Sequence, residues 1–167
     1  MNRILLSLLA FSGLYLASCT SAPPAPVTVQ DIPFPGGEGT SLPSLSSDGN
    51  QLLLSWVATP TDSGAQFQFA RLGEDGTWSS PEQIAEGSNW FVNWADYPAL
   101  VQNKGSLLAY HLQKSSPGKF SYDILLHALP KGEQTWRSGL PLHRDSTLTE
   151  HGFVSAAAYT DSSFFSW

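Results

Sequence analysis

Hydrophobic and polar positions alternate along much of the chain that follows residue 41. The segments AQFQFARL (65–72) and SYDILLHAL (121–129) alternate with a period of two residues, which is typical of strands that bury one face. After the apolar segment at the start of the chain, no stretch has the 3.6-residue period of a helix. The pattern therefore predicts an all-β domain over residues 42–167.

The alternating segments recur with a spacing of about 55 residues, which suits one blade of a propeller. Three stretches, starting at Leu42, Tyr97 and Gly152, each contain an apolar strand, a polar turn and a second apolar strand that closes on an aromatic residue. The turns SSDGN, QNKG and TDSS favour tight hairpins. The first two repeats continue with two more strands, so each complete repeat is predicted to hold four antiparallel strands. The expected boundaries are about 42–87, 97–143 and, for the start of a third repeat, 152–167.

Two turns in corresponding places of the repeats end in tryptophan. GEDGTW (73–78) and GEQTW (132–136) resemble degenerate copies of the Asp-box, S-x-D-x-G-x-x-W, of sialidase-type β-propellers, the proteins with BNR repeats. The first copy keeps Asp75 and Trp78, the second keeps Trp136, and both lack the serine. The resemblance implies four-stranded blades around a central channel, with the Asp-box residues in structural roles.

The number of repeats is small for a closed ring, since propellers have about 4–8 blades. About two and a half repeats are present, and the last strand would be left as an open apolar edge, which natural proteins avoid. We therefore expect an incomplete propeller, and the chain to be either the N-terminal piece of a longer protein or a truncated gene product.

The first 18 residues have the features of a secretory signal peptide. Arg3 precedes an apolar segment, residues 4–16, that is shorter than the ~20 residues of a membrane-spanning helix. The sequence LASC that ends at Cys19 resembles the lipobox of bacterial lipoproteins. That resemblance implies cleavage before Cys19 and acyl chains, palmitate among them, on that residue. Thr20, in place of Asp, implies sorting to the outer membrane if the source has one.

Residues 19–41 are rich in proline and glycine and are predicted to be a tether between the lipid and the domain.

Composition and motifs argue against some partners and cofactors. The net charge of −6 and the absence of a basic run argue against nucleic acid. Cys19 is the single cysteine, so no disulfide forms within one chain. No phosphate loop, dinucleotide fingerprint or Ser-His-Asp motif is present, and we assign no cofactor.

Two polar connections precede the first strands of the second and third repeats. The first connection is GSNWFVNWADYP (87–98) and the second is RDSTLTEHGF (144–153). Propeller topology implies that both reach the ligand-binding face, together with His111, which is expected just after a strand. Tryptophan beside Asn and Asp is typical of sugar binding, although Trp90 or Trp94 is equally open to a packing role. The predicted ligand-binding residues are Asn93, Trp94, Asp96, His111, Asp145, Glu150 and His151.

Catalytic and metal-binding alternatives rest on fewer features. Asp145 and Glu150 are weak candidates for the carboxylate pair of a glycoside hydrolase, and Arg144 is expected to pair with Glu150. The sialidase arginines and Tyr–Glu pair have no matching positions here, so no catalytic residue is assigned. A metal set would draw on His111, His143, His151 and Asp96. No close His-x-His or His-x-x-x-His spacing supports that set, and no metal is assigned.

The sequence thus predicts a lipid-anchored protein of the cell envelope that binds a glycan or a protein through the two connections. One alternative is a glycoside hydrolase whose catalytic residues lie largely in further blades. Another is a scaffold for envelope assembly.

Overall fold

The structure is a computed structural model that describes residues 25–60 and 64–167. These residues form eleven β-strands and no helix, which confirms the all-β prediction. The strands make three open antiparallel sheets of four, five and two strands. Contacts divide the chain into Met1–Asp31 and Ile32–Trp167, and every strand belongs to the second unit. The predicted signal peptide and Cys19 lie outside the described residues.

The first sheet has the strand order β1-β2-β3-β4. Its strands are β1 (Thr40–Ser47), β2 (Leu52–Ala58), β3 (Ala65–Arg71) and β4 (Glu82–Gly87). β1 alternates strictly between half-buried and exposed residues, whereas β2 is buried on both faces because it is central and apolar. Asp48 Oδ1 accepts the N–H groups of Asn50 and Gln51, both at 3.0 Å, and this Asx-turn joins β1 to β2.

The second sheet is built around one long strand. Its strands are β5 (Trp90–Phe91), β6 (Ala99–Asn103), β7 (Ser106–Lys114), β8 (Tyr122–Leu129) and β9 (Arg137–Pro141). β6 pairs with the first half of β7 and β5 with the second half, while β8 pairs along all of it. Lys104 and Gly105 both have positive φ, 50° and 87°, as a type I′ hairpin turn between β6 and β7 requires.

The third sheet is a hairpin of β10 (Ser155–Tyr159) and β11 (Ser162–Ser166). Its turn contacts the turn between β6 and β7. There Lys104 Nζ lies 2.5 Å from an Asp161 carboxylate oxygen, and Asn103 donates to the Ser162 carbonyl. The hairpin is therefore joined to the second sheet at its turn, although most of its residues remain exposed.

Apolar side chains fill the space between neighbouring sheets. Phe67 and Phe69 of β3 pack in one cluster with Leu107 of β7, and Trp136 meets the Phe69 ring edge-on at 6.1 Å. Burial of each such side chain contributes about 1.5–3 kcal/mol. A second cluster joins the second sheet to the hairpin; it contains Tyr110, Leu112, Tyr122 and Ile124, with Val154, Ala156 and Phe165 packed against it.

Local hydrogen bonds hold the turn GEDGTW (73–78) between β3 and β4. Asp75 Oδ1 accepts the N–H of Thr77 at 3.0 Å and its hydroxyl at 2.9 Å. These bonds lower the pKa of Asp75, the backbone bond first. Trp78 follows and packs against the cluster of Leu54, Trp56 and Ala70.

Candidate functional site

The second connection is hydrogen-bonded to the start of β8. The N–H of Tyr122 donates to the Thr149 carbonyl and the N–H of His151 donates to the Tyr122 carbonyl, both at 3.2 Å. This parallel bridge between Tyr122 and Glu150 gives the connection a defined register. Residues 144–150 are exposed, whereas His151 and Gly152 are buried.

A buried tyrosine joins the two connections. The Tyr122 hydroxyl donates to Glu150 Oε1 at 2.6 Å and lies 3.2 Å from Asp96 Oδ2. Asp96 is 1% exposed, and its Oδ1 accepts the N–H of Phe153. Burial first, and then the neighbouring carboxylates, raises the pKa of Tyr122 well above its usual value. The hydroxyl therefore keeps its proton and serves as a donor.

Gly152 allows the second connection to lie close to the side chains of Asp96 and Tyr122. A Cβ at Gly152 would lie 2.7 Å from Asp96 Oδ1 and 2.8 Å from the Tyr122 hydroxyl oxygen. Both distances are shorter than real Cβ contacts, and neither side chain is free to move away because each is hydrogen-bonded and buried. Any larger residue would separate the two connections.

The first connection presents one tryptophan on a fixed turn. Asn93 Oδ1 accepts the N–H groups of Ala95 and Asp96, both at 2.7 Å, and the Asn93 N–H donates to the Asp96 carbonyl. Trp94, between them, is 90% exposed. Trp90 differs because its ring stacks on His111 at 4.4 Å. Of the two tryptophans, Trp90 is thus the packed one and Trp94 the exposed one.

The location expected for His111 was wrong. It was expected after a strand, but β7 continues past it to Lys114 because β8 supplies partners along that whole length. The ring is buried, and its Nδ1 lies 2.8 Å from His127 Nε2. Burial lowers the pKa of both histidines to about 4, and for His111 the neighbouring His127 adds to the effect. His111 is therefore enclosed in the sheet.

A second histidine pair lies where β8, the end of β9 and the second connection meet. The rings of His143 and His151 stack with their centroids 3.7 Å apart and an interplanar angle of 13°. Asp123 Oδ1 lies 3.6 Å from His143 Nε2 and 3.3 Å from His151 Nδ1. On the opposite edge, Asp145 lies 3.3 Å from His143 Nδ1 and 3.1 Å from His151 Nε2. Two carboxylates thus flank two buried imidazoles.

Asp145 is fixed by its own turn. Its Oδ1 accepts the hydroxyl of Thr147 at 2.5 Å and the Thr147 N–H at 3.2 Å. These bonds, followed by the one to His151, lower the pKa of Asp145 to about 2. Arg144 makes no ion pair with any residue that the structure describes, so its predicted pairing with Glu150 is wrong.

The predicted site residues therefore fall into separate groups. Asn93 and Asp96 hold the first connection, Glu150 meets Asp96 through Tyr122, and Asp145 contacts His151. Asp123 was missed because it meets the histidines through strand register, which no local sequence pattern identifies. The antiparallel pairing of Leu125 with Pro141, continued by two residues, sets Asp123 opposite His143.

Comparisons with protein-family models, with curated proteins and with solved structures find no match for this chain. Within residues 25–60 and 64–167, no helix is long and apolar enough to cross a membrane.

Proposed function

We propose that the chain is a lipid-anchored protein of the cell envelope, with a sialidase-like propeller domain that binds a glycan. The lipobox-like sequence ending at Cys19 supports the anchor, and two or more acyl chains hold a polar domain stably on a membrane. Thr20 after the cysteine favours the outer membrane where one exists.

The arrangement of first strands supports the propeller. β1, β6 and β10 together line one open cavity of about 490 Å³. Gln102 of β6 donates to the carbonyls of Ser46 and Gln51, both at 2.8 Å, and so links the first two sheets. The Tyr110 hydroxyl donates to the Val154 carbonyl at 3.0 Å next to β10. Sheets repeated side by side with their first strands facing one cavity are typical of propeller blades.

The exposed face of Trp94 is the observation that carries glycan binding. A flat indole that is 90% exposed offers a sugar ring an apolar stacking surface. The turn around it is held by four hydrogen bonds that involve Asn93, so little side-chain or backbone freedom is lost on binding. Asn93 and Asp96 are occupied within the turn, whereas the exposed Glu150 accepts the Tyr122 hydroxyl with Oε1 and keeps its second carboxylate oxygen for a sugar hydroxyl.

A glycan array with the full chain, followed by calorimetry with the best glycan, tests this function. Trp94→Ala should weaken binding by about tenfold or more, because the stacking surface is lost, which corresponds to ~1.4 kcal/mol. The matched control is Trp167→Ala, since Trp167 is also exposed but follows β11. Its affinity should equal that of the wild type, and both variants should keep the wild-type melting temperature.

The outcomes separate the alternatives. Equal binding by Trp94→Ala and the wild type would reject Trp94 as the contact surface. If the protein hydrolyses the bound glycan, its function is glycoside hydrolysis and not binding alone. Retention of an envelope protein, with no effect of any glycan, would favour the scaffold.

A further inference from the structure

We propose that Asp123, His143 and His151 form a binding site for a divalent transition-metal ion, of which Zn²⁺ is the expected occupant. Each residue offers one ligand atom, and these atoms lie within 4.8 Å of one another. Two imidazole nitrogens and one carboxylate oxygen are the donor set that zinc takes when three protein ligands leave a fourth position open. The site does not depend on the proposed glycan binding.

The buried nitrogens of His143 are the first argument. Its side chain is 6% exposed, and neither Nδ1 nor Nε2 has a hydrogen-bond partner among the described residues. Burial of an unsatisfied polar group is unfavourable, and these nitrogens, unlike those of His111 and His127, face carboxylates that could share a cation with them. A metal ion on Nε2 would give the ring that partner.

The position of Asp145 is the second argument. A histidine that binds a metal through one ring nitrogen almost always donates its other N–H to a carboxylate or carbonyl, which orients the ring. Asp145 lies next to His143 Nδ1 and His151 Nε2, the two nitrogens that point away from Asp123. Thr147 in turn holds Asp145 with two hydrogen bonds. Asp145 is therefore close enough to accept both N–H groups, and for His143 the ring must turn slightly before the hydrogen bond forms.

The third argument is that metal binding would leave no neighbouring backbone group without a hydrogen bond. His151 Nδ1 lies 3.2 Å from the Tyr122 carbonyl and would give up that contact to bind the ion. The carbonyl keeps a partner, since it also accepts the backbone N–H of His151. Tetrahedral zinc at ~2.0–2.1 Å holds its ligands roughly 3.4 Å apart, and Asp123 Oδ1 already lies 3.6 and 3.3 Å from the two nitrogens. The stacked rings must tilt, because their in-plane lone pairs are now nearly parallel and have to converge on one ion.

The site would join three segments of the chain. Asp123 belongs to β8, His143 follows β9, and His151 lies in the second connection, which leads to β10. A bound ion would hold the end of the second sheet and the start of the hairpin in one place. We therefore expect a bound ion to fix the second connection, with a water molecule in its fourth position.

The test is titration of the metal-free full chain with Zn²⁺ against a chromogenic chelator, with Cys19→Ser in every variant so that the thiol contributes no ligand. The wild-type site should bind one ion per chain. Asp123→Asn and His143→Gln should each weaken binding by at least about tenfold, whereas Asp145→Asn should weaken it by about 10–100-fold without changing the stoichiometry. Asp161→Asn, an exposed carboxylate on the hairpin turn, is the matched control and should bind as the wild type does.

Two further measurements distinguish loss of the metal site from loss of folding in the variants. Co²⁺ should give the intense visible absorption of a tetrahedral site in the wild type and in Asp161→Asn, and not in Asp123→Asn. Zn²⁺ should raise the melting temperature of the same two proteins and leave that of Asp123→Asn unchanged. Absence of one-to-one binding by the wild type, or unchanged affinity in Asp123→Asn and His143→Gln with circular dichroism showing folded protein, would overturn the site.

Discussion

All four histidines of the chain lie in two pairs that differ in what surrounds them. In the core pair, His111 and His127 of β7 and β8, the rings bond only to each other, at 2.8 Å, within the described part of the chain. In the acidic pair, His143 and His151, all four ring nitrogens lie within 3.6 Å of a carboxylate. Both pairs are buried, so burial alone does not decide what a histidine does.

The difference follows from proton counting. Two neutral imidazoles that share one hydrogen bond leave one N–H and one lone pair without partners, whichever ring donates. In the core pair these are His111 Nε2 and His127 Nδ1. The acidic pair instead has carboxylate acceptors beside its ring nitrogens. A carboxylate oxygen and a nitrogen lone pair attract each other only when a proton or a metal ion lies between them. The same side chain is thus a neutral packing group in one place and a candidate ligand in the other.

The largest expected effect concerns acid sensitivity of the core pair. Its histidines have their pKa lowered from 6.5 to about 4, so the unfolded chain binds protons that the folded chain does not over that interval. The free energy of unfolding should therefore decrease as the pH falls from 6.5 toward 4, by on the order of 3 kcal/mol for the pair, and should not change from this source above pH 6.5. Urea unfolding between those pH values measures it.

The double variant His111→Leu/His127→Leu is the reference for this measurement. Its free energy of unfolding should fall much less over the same interval, because the groups that take up protons on unfolding are gone. If the two proteins lose stability in parallel, the core pair is not the source of acid sensitivity.

An intermediate effect is expected when the core pair is made apolar at neutral pH. The same double variant should be more stable than the wild type at pH 7.5 by about 1–3 kcal/mol, because it removes an unpaired donor and an unpaired acceptor and keeps the volume filled. His143→Leu/His151→Leu is the contrasting control, and it should be less stable than the wild type, since it removes the partners of Asp123 and Asp145. Stabilisation of both variants, or of neither, would abolish the distinction between the pairs.

Much of the sheet structure could be predicted because alternation and turn chemistry are local signals. β3 and β8 alternate in the sequence, and their inward residues, such as Phe67, Phe69 and Ile124, are buried. β5 was missed because Trp90 and Phe91 are two residues without a pattern of their own. They form a strand because the end of β7 offers unpaired backbone groups at Leu112 and Gln113.

The site was harder to predict because its members meet through long-range pairing. His143 and His151 could be noted as histidines, but their carboxylate partner Asp123 comes from β8 and reaches them through strand register. The contact of Tyr122 with Asp96 and Glu150 could not be predicted for the same reason. The alternation of β8 indicates only that Tyr122 is an inward residue. The residues adjacent in sequence to a polar residue at a strand end do not identify the side chains that it contacts in the folded protein.

The smallest expected effect concerns the link that holds the acidic pair beside the core. Tyr122→Phe removes the hydroxyl that contacts Glu150 and Asp96, at a cost of about 1 kcal/mol, because Asp96 keeps the N–H of Phe153 and Glu150 is exposed to water. The loss should be local. Hydrogen exchange should accelerate at the amides of His151 and Phe153 and stay unchanged at those of β7.

Tyr159→Phe is the matched control for this variant, since Tyr159 is exposed at the end of β10 and its loss should change neither set of amides. The reasoning is that the second connection is held by few bonds, whereas β7 has partners along its whole length, so removal of one bond opens the connection first. Faster exchange in β7 would mean that the two histidine pairs unfold as one unit. In that case the contrast between them would be chemical only and not one of local stability.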